Sequence, residues 1–234
     1  MDQNPKIAIV MPYYNELDLL KKSVDGVMKQ TYTNWKLFIV DDGSIKENRA
    51  DHNIIQNSQI KIINKPNSGV SDARNRALDH LQAEGGFGCV AYCDSDDVWS
   101  PSHLQEALNT LLDAKADMVY SVPEFKFIDG TIAVPFGIPI HTIYPGNDEL
   151  YKQNFIWISG VMHKKEYIQP EGFDKELNSL EDWDMWIRIA RAGAVIKHNI
   201  IQFPTFTYTV KTSGNGSKCT DEIRAKLNKK HNLA

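Results

Sequence analysis

The chain has 234 residues, enough for one large domain with a substantial core, and its 42% hydrophobic and 24% charged content is ordinary for a soluble globular protein. Asp and Glu (30) outnumber Lys and Arg (26), and the net charge of −4 lacks the basic surplus of a general nucleic-acid binder, so no nucleic-acid partner is expected. No apolar run has the length of a membrane span and the N-terminus shows no signal-peptide pattern, which reads as a cytoplasmic protein.

In chain order, Ile7–Met11 is a strand, and Leu17, Leu20, Val24, Val27 and Met28 then recur at helical spacing. Leu37–Val40 and Ile60–Ile63 are the second and third strands. Ala73, Ala77, Leu78 and Leu81 mark the next helix, with Ser71 as its expected cap. Val90–Cys93 is the fourth strand. Ser100-Pro101 is read as an N-cap with proline at the first helical position, followed by Leu104, Ala107, Leu108, Leu111 and Leu112 on one helix face. Strands separated by helices of this length predict an α/β fold with a mostly parallel, Rossmann-like sheet covered on both faces.

Beyond about residue 117 the rhythm changes. Met118–Val122, Phe125–Ile128 and Thr131–Val134 read as strands, with Asp129-Gly130 as a hairpin turn. Residues 135–146 read as a loop, and a helix from about Asp182 to Ala192 ends at Gly193 as its C′ residue. Cys89, Cys93 and Cys219 form neither an even disulfide set nor a zinc pattern. Cys89 and Cys93 lie four apart on one strand face, too distant to bridge easily, and are expected reduced and buried.

In open α/β sheets, ligands bind beyond the carboxyl ends of the strands. Here those ends read Pro12-Tyr13-Tyr14-Asn15-Glu16, Asp41-Asp42-Gly43-Ser44, Asn67-Ser68-Gly69 and Asp94-Ser95-Asp96-Asp97. Each alone is an ordinary turn or cap. The last, with three carboxylates in four residues, is costly through like-charge repulsion unless a cation offsets it. Glu181-Asp182-Trp183-Asp184 adds an acidic first helical turn, which by itself favours the helix dipole.

Together with Asn67-x-Gly69-x-x-x-Ala73-Arg74-Asn75, these segments resemble, in order and spacing, the motifs of family 2 glycosyltransferases over about residues 5–210. The resemblance implies an inverting enzyme of GT-A fold that uses a nucleotide-diphosphate sugar and Mg²⁺ or Mn²⁺. It implies one domain over 1–234: a nucleotide-sugar-binding half (about 1–117), an acceptor-binding half of mixed strands (about 118–210), and a C-terminal loop and helix (211–234). The implied donor pocket contains Pro12, Tyr14 and Glu16, with Tyr14 at the base ring. Asp41 or Asp42 accepts from a base N–H, the base being uracil by family frequency, and Arg74 lies near the diphosphate. Asp94 is turned to the ribose with Ser95 beside it, Asp96 is the metal ligand, and Asp97 is given no ligand role. Asp182 is the general base, whereas Glu181 and Asp184 fall on another helix face and orient neighbours. The implied acceptor is a glycan or lipid-linked hydroxyl.

One family feature is altered. A tyrosine-arginine-x-histidine stretch is replaced by Tyr208-Thr209-Val210-Lys211, so Lys211 stands in for the histidine as the phosphate-side cation, near Ser213 and Ser217. Gly214 and Gly216 would suit a mobile lid, or an ordinary surface loop. Arg224, Lys226, Lys229 and Lys230 around Ile223 and Leu227 form a basic amphipathic segment, either a solvated helix face or a peripheral contact with the inner membrane surface. His163 is read as structural or as approaching the metal or acceptor. Trp183 and Trp186 are core residues or sugar-stacking rings. Two alternatives stand beside the transferase reading: a degenerate family member that binds nucleotide sugar without transfer, and a phosphatase of the haloacid dehalogenase type with Asp94 as nucleophile in Asp94-x-Asp96-x-Val98.

Overall fold

The computed structural model describes residues 2–54, 56–127, 131–133, 144–199, 204–210 and 220–233. Its centre is a sheet of seven strands: β1 (Ile7–Tyr13), β2 (Trp35–Asp42), β3 (Ile60–Lys65), β4 (Cys89–Tyr92), β6 (Met118–Tyr120), β9 (Val161–Lys164) and β10 (Ile196–His198). The order across the sheet is β10-β6-β9-β4-β1-β2-β3. All pairings are parallel except those of β9, which runs antiparallel between β4 and β6. A smaller sheet joins β5 (Val98–Trp99), β11 (Phe206–Val210), β7 (Glu124–Phe127) and β8 (Ile132–Ala133).

Every residue of β1 is buried, as a central parallel strand requires, and its side chains alternate between two cores. Ala8 and Val10 join Phe38 and Val40 on one face; Ile7, Ile9 and Met11 join Leu37 and Ile39 on the other. The first face is covered by α3 (Val70–Glu84), α6 (Glu181–Arg191) and α7 (Asp221–His231), through Ala73, Ala77, Trp183, Trp186, Ile187 and Leu227. The second is covered by α1 (Leu17–Met28) and α4 (His103–Asp113), through Leu20, Val24, Val27, Leu104 and Leu108. Two short helices, α2 (Ala50–Asn53) and α5 (Asn147–Leu150), complete the α-helices among the described residues. Because β1, β2, β3 and β4 run parallel, their acidic and amide-bearing tips emerge on one edge.

Both expected serine caps are replaced by longer-range devices. Helix α3 begins after Gly69 (φ +95°), whose N–H donates to Asp42 Oδ2 at 2.8 Å, and Ser71 lies buried inside the helix. Helix α4 begins at His103 rather than at Pro101, and the orphan N–H of Leu104 donates to Gln30 Oε1 at 2.9 Å, a side chain from the end of α1. Gly193 has φ +85° and closes α6 as expected, donating to Ala190 O. Cys89 and Cys93 are both buried free thiols. The hairpin turn at Asp129-Gly130, the greater part of the 135–146 loop, and the lid residues from Lys211 through Ser217, with Cys219, lie outside the described residues.

Candidate active site

The first two tips are held together by their own side chains. Asn15, in the left-handed region at φ 61°, donates its N–H to Ser44 Oγ (2.9 Å) and accepts at Oδ1 from Ile45 N–H (2.8 Å). Asn48 Nδ2 donates to the Asn15 carbonyl at 2.8 Å. This leaves the Tyr14 ring 47% exposed at the rim, with Pro12 buried behind it and Glu16 exposed at the start of α1. Asp41 accepts from the N–H of Ser44 (2.9 Å) and of Ala50 (2.8 Å), fixing the 43–50 loop. Asp42 accepts from Ser68 N–H (3.0 Å), Gly69 N–H (2.8 Å) and Lys65 Nζ. Both carboxylates are therefore structural anchors as well as candidate acceptors for a base N–H. Gly43 makes the turn possible: it has φ +80°, and a Cβ there would lie 2.6 Å from Asn67 N.

The fourth tip gathers the carboxylates of Asp94, Asp96 and Asp97, whose ligand-capable oxygens all lie within 4.8 Å of one another. Asp97, which the sequence reading set apart, is the most buried of them at 2% exposure, and burial with the charges of Asp96 and Asp94 holds its carboxyl well above the ordinary range. Burial, then the charges of Asp97, Asp94 and Asp96, push the Cys93 thiol up. Two segments secure the cluster. Asp94 N–H donates to Ser159 Oγ at 3.0 Å; from β11, Thr209 N–H donates to Asp97 Oδ1 at 3.1 Å and Thr209 Oγ1 to the Asp96 carbonyl at 2.5 Å. Ser95 sits half-buried between Asp94 and Asp96.

Arg74 of α3 spans the space from this cluster to α6. Its Nη2 donates to Asp94 Oδ1 (2.8 Å) and its Nη1 to Glu181 Oε1 (2.7 Å), at 2% exposure. Burial opposes the charge, and the two carboxylates outweigh burial, so the guanidinium stays charged. Its charge is thus matched by two protein carboxylates, one at the acidic strand tip and one at the start of α6.

Asp182 follows Glu181 at the start of α6, directly after Leu180, which holds a left-handed backbone (φ 63°) that a leucine adopts only when its surroundings impose it. Burial, then the Glu181 charge, raises the Asp182 carboxyl from its ordinary 3.8 to about 7, with Arg74 pulling the other way. Its Oδ1 accepts from Trp183 N–H (2.7 Å) and its Oδ2 from Asn154 Nδ2 (3.2 Å). A carboxylate poised near neutrality suits proton abstraction at physiological pH. Asp184 points elsewhere: fully buried, it accepts from Arg188, Lys230 and His231 at 2.8–2.9 Å.

Residues 154–159 were not singled out by the sequence. Asn154 touches Asp182 and Ser159 touches Asp94, so this segment, which turns into a short 3-10 helix at Ile158–Gly160, runs between the two acidic groups. Tyr208 faces the same space: burial and then the charges of Asp97, Asp94, Asp96 and Asp182 raise its phenol to about 12. Three alternatives that the sequence left open are decided. His163 lies in the core, its Nε2 2.9 Å from Tyr92 Oη, and burial lowers it to about 4. Trp183 and Trp186 are fully buried. The apolar face of α7 packs inward through Leu227 and Ile223, Lys230 pairs with Asp174, and Arg224 lies 4.2 Å over the Trp183 ring. That apolar face is therefore not available to a membrane. No helix among the described residues is long and apolar enough to cross one.

A family model described as glycosyl transferase family 2 matches residues 8–169, which carry all four strand tips. The chain belongs to the family 2 glycosyltransferases. It is 30% identical over 187 residues to the UDP-Glc:alpha-D-GlcNAc-diphosphoundecaprenol beta-1,3-glucosyltransferase WfgD of Escherichia coli, covering 79% of this chain and 70% of that one. The GT-A fold of this family 2 enzyme is shared with residues 1–349 of S. aureus TarS in complex with UDP-GlcNAc. That match has a TM-score of 0.73 at 18% identity and covers 95% of this chain and 65% of that one. A mannosyltransferase of Pyrobaculum calidifontis in complex with GDP-Man and Mn²⁺ matches with a TM-score of 0.63 at 18% identity, covering 92% and 59%. Nothing in the fold or these likenesses supports a phosphatase, whose nucleophile would be expected after the first strand rather than the fourth.

Proposed function

We propose that this glycosyltransferase moves a sugar, with inversion, from a UDP-sugar to a hydroxyl of a glycan or lipid-linked acceptor, with Asp182 as general base. The observation that carries the reading is the Asp94–Arg74–Glu181 bridge, with links of 2.8 and 2.7 Å, which ties the acidic strand tip to the start of the base helix. In this reading the donor lies over the tips of β1, β2 and β4, with Tyr14 at the base ring and Asp41 and Asp42 at the base edge. Lys211 is assigned to the diphosphate side. Asp182 takes the proton from the acceptor hydroxyl as the oxygen attacks the anomeric carbon, and the nucleotide diphosphate leaves from the opposite face. Asn154 and the Trp183 N–H hold the carboxylate for that transfer.

The acidic cluster fits a divalent cation: three carboxylates converge, one of them buried. Asp96, with Asp94 and Asp97, would hold Mg²⁺ or Mn²⁺, which would supply positive charge against the diphosphate. The acceptor of the Escherichia coli relative is a GlcNAc-diphosphoundecaprenol, which supports a glycolipid acceptor and a role in polysaccharide assembly here. The test is nucleotide diphosphate release from a panel of nucleotide sugars with Mn²⁺ and with EDTA. Metal-dependent release from one donor is expected. Nucleotide-sugar binding without release from any donor would instead favour a degenerate, non-transferring protein.

A further inference from the structure

We infer that Trp157, Phe125 and Tyr208 form a stacking platform for a pyranose ring of the acceptor, an inference that rests on Asp182 being the base. Phe125 and Tyr208 are register partners on the parallel strands β7 and β11, with ring centroids 5.6 Å apart at 62°. Trp157 continues the row, 5.9 Å from Phe125 at 77°. The edge-to-face contacts leave ring surface uncovered: Tyr208 is 37% exposed, and Phe125 and Trp157 are partly so.

Chain geometry puts this surface in the site. Trp157 lies midway along the segment whose Asn154 donates to Asp182 and whose Ser159 accepts from Asp94 N–H. Tyr208 immediately precedes Thr209, which binds both Asp96 and Asp97. On β11 the face that buries Phe206 in the core emerges at Tyr208, so the platform continues the core outward rather than lying on a separate surface.

The chemistry selects the occupant. An aromatic face presents negative π density and apolar area, which match the C–H face of a sugar ring. The Asp182 carboxyl, reached by Asn154 on the segment that carries Trp157, accepts from hydroxyls at the ring's rim. A neutral polyhydroxylated ring satisfies both demands; a phosphate satisfies neither, and a hydrocarbon chain satisfies only the first.

The test uses the full chain and methyl α-N-acetylglucosaminide as probe, followed by saturation-transfer NMR. Wild type is expected to transfer saturation to the probe's ring protons. Trp157→Ala should bind it about tenfold more weakly, Trp157→Phe should retain most of the binding, and UDP binding with Mn²⁺ should be unchanged in both. Tyr208→Leu gives a second, more exposed perturbation if Trp157→Ala does not fold. Equal binding by wild type and the ring-deleted variants, or equal competition by cyclohexanol, would overturn the platform. The transferase reading is judged separately by nucleotide diphosphate release from wild type, so either can fail without the other.

Discussion

Replacing the proposed base with asparagine should make the protein more stable at alkaline pH. The rise of the Asp182 carboxyl from 3.8 to about 7 corresponds to about 4 kcal/mol of charge burial once the group is ionised, at about 1.4 kcal/mol per pH unit. Partial solvent access and coupling to Glu181 reduce this to about 2–4 kcal/mol. Asparagine keeps an oxygen for the Trp183 N–H but sets its NH₂ against Asn154 Nδ2, whose own Oδ1 holds Ile156 N–H at 3.1 Å; that conflict costs about 1 kcal/mol. The net gain is about 1–3 kcal/mol, or roughly 2–12 °C in Tm for a chain of this length. The sign follows from linkage. A carboxyl raised in the folded state favours folding below its unfolded value and loses that contribution as pH rises to its folded value, so the gain opens between about pH 4 and 7. Melting followed by circular dichroism at pH 4.5 and 8, without metal or nucleotide, reads it. A Tm difference that is zero or negative at pH 8, or identical at both pH values, refutes the charge-burial argument.

Arg74→Met should lose about 3–5 kcal/mol in urea unfolding at pH 7, because Glu181 and Asp94 are left facing each other's end of an empty bridge; a loss below 1 kcal/mol would show that the bridge is not energetically coupled to the fold. The kcat/KM profile of wild type should rise with pH through an apparent value near 7, reporting Asp182 in the free enzyme, and an activity plateau reaching down to pH 5 would assign the base elsewhere. Asp184→Asn should cost about 2–4 kcal/mol at pH 7, since Arg188, Lys230 and His231 converge on that buried carboxylate. Those partners outweigh burial and hold Asp184 below the ordinary range, so the wild-type advantage is present above about pH 4 and is lost as pH falls through the lower folded value. Urea midpoints at pH 7 and pH 2 check it.

The alternation of apolar strands and helices was legible because each element carries its period within about a dozen residues. The four polar tips were legible because parallel topology sends them to one edge. What escaped was set by contacts between distant residues. Gln30 caps a helix 74 residues later, displacing the expected Ser100 cap, and Arg74 finds Glu181 107 residues away. Asp97 was set aside because the resemblance gives the ribose to Asp94 and the metal to Asp96, and the turn from Asp94 O to Asp97 N–H (3.1 Å) folds its carboxylate back onto the cluster. The amphipathic pattern of α7 was visible, but nothing local distinguishes a helix face meant for a membrane from one that packs on Trp183 and Asp184. Residues 154–159 carry no motif at all; the amide, ring and hydroxyl acquire meaning only from where β9 carries the chain next.

The most direct test of the account measures donor binding and sugar transfer in one preparation of Asp182→Asn. A donor Kd within about threefold of wild type is expected with Mn²⁺ present, and transfer reduced by about 10²–10⁴, since only proton abstraction is lost. Transfer within tenfold of wild type would contradict the assignment of the base. Loss of donor binding together with transfer would contradict the separation of the donor wall from the base helix.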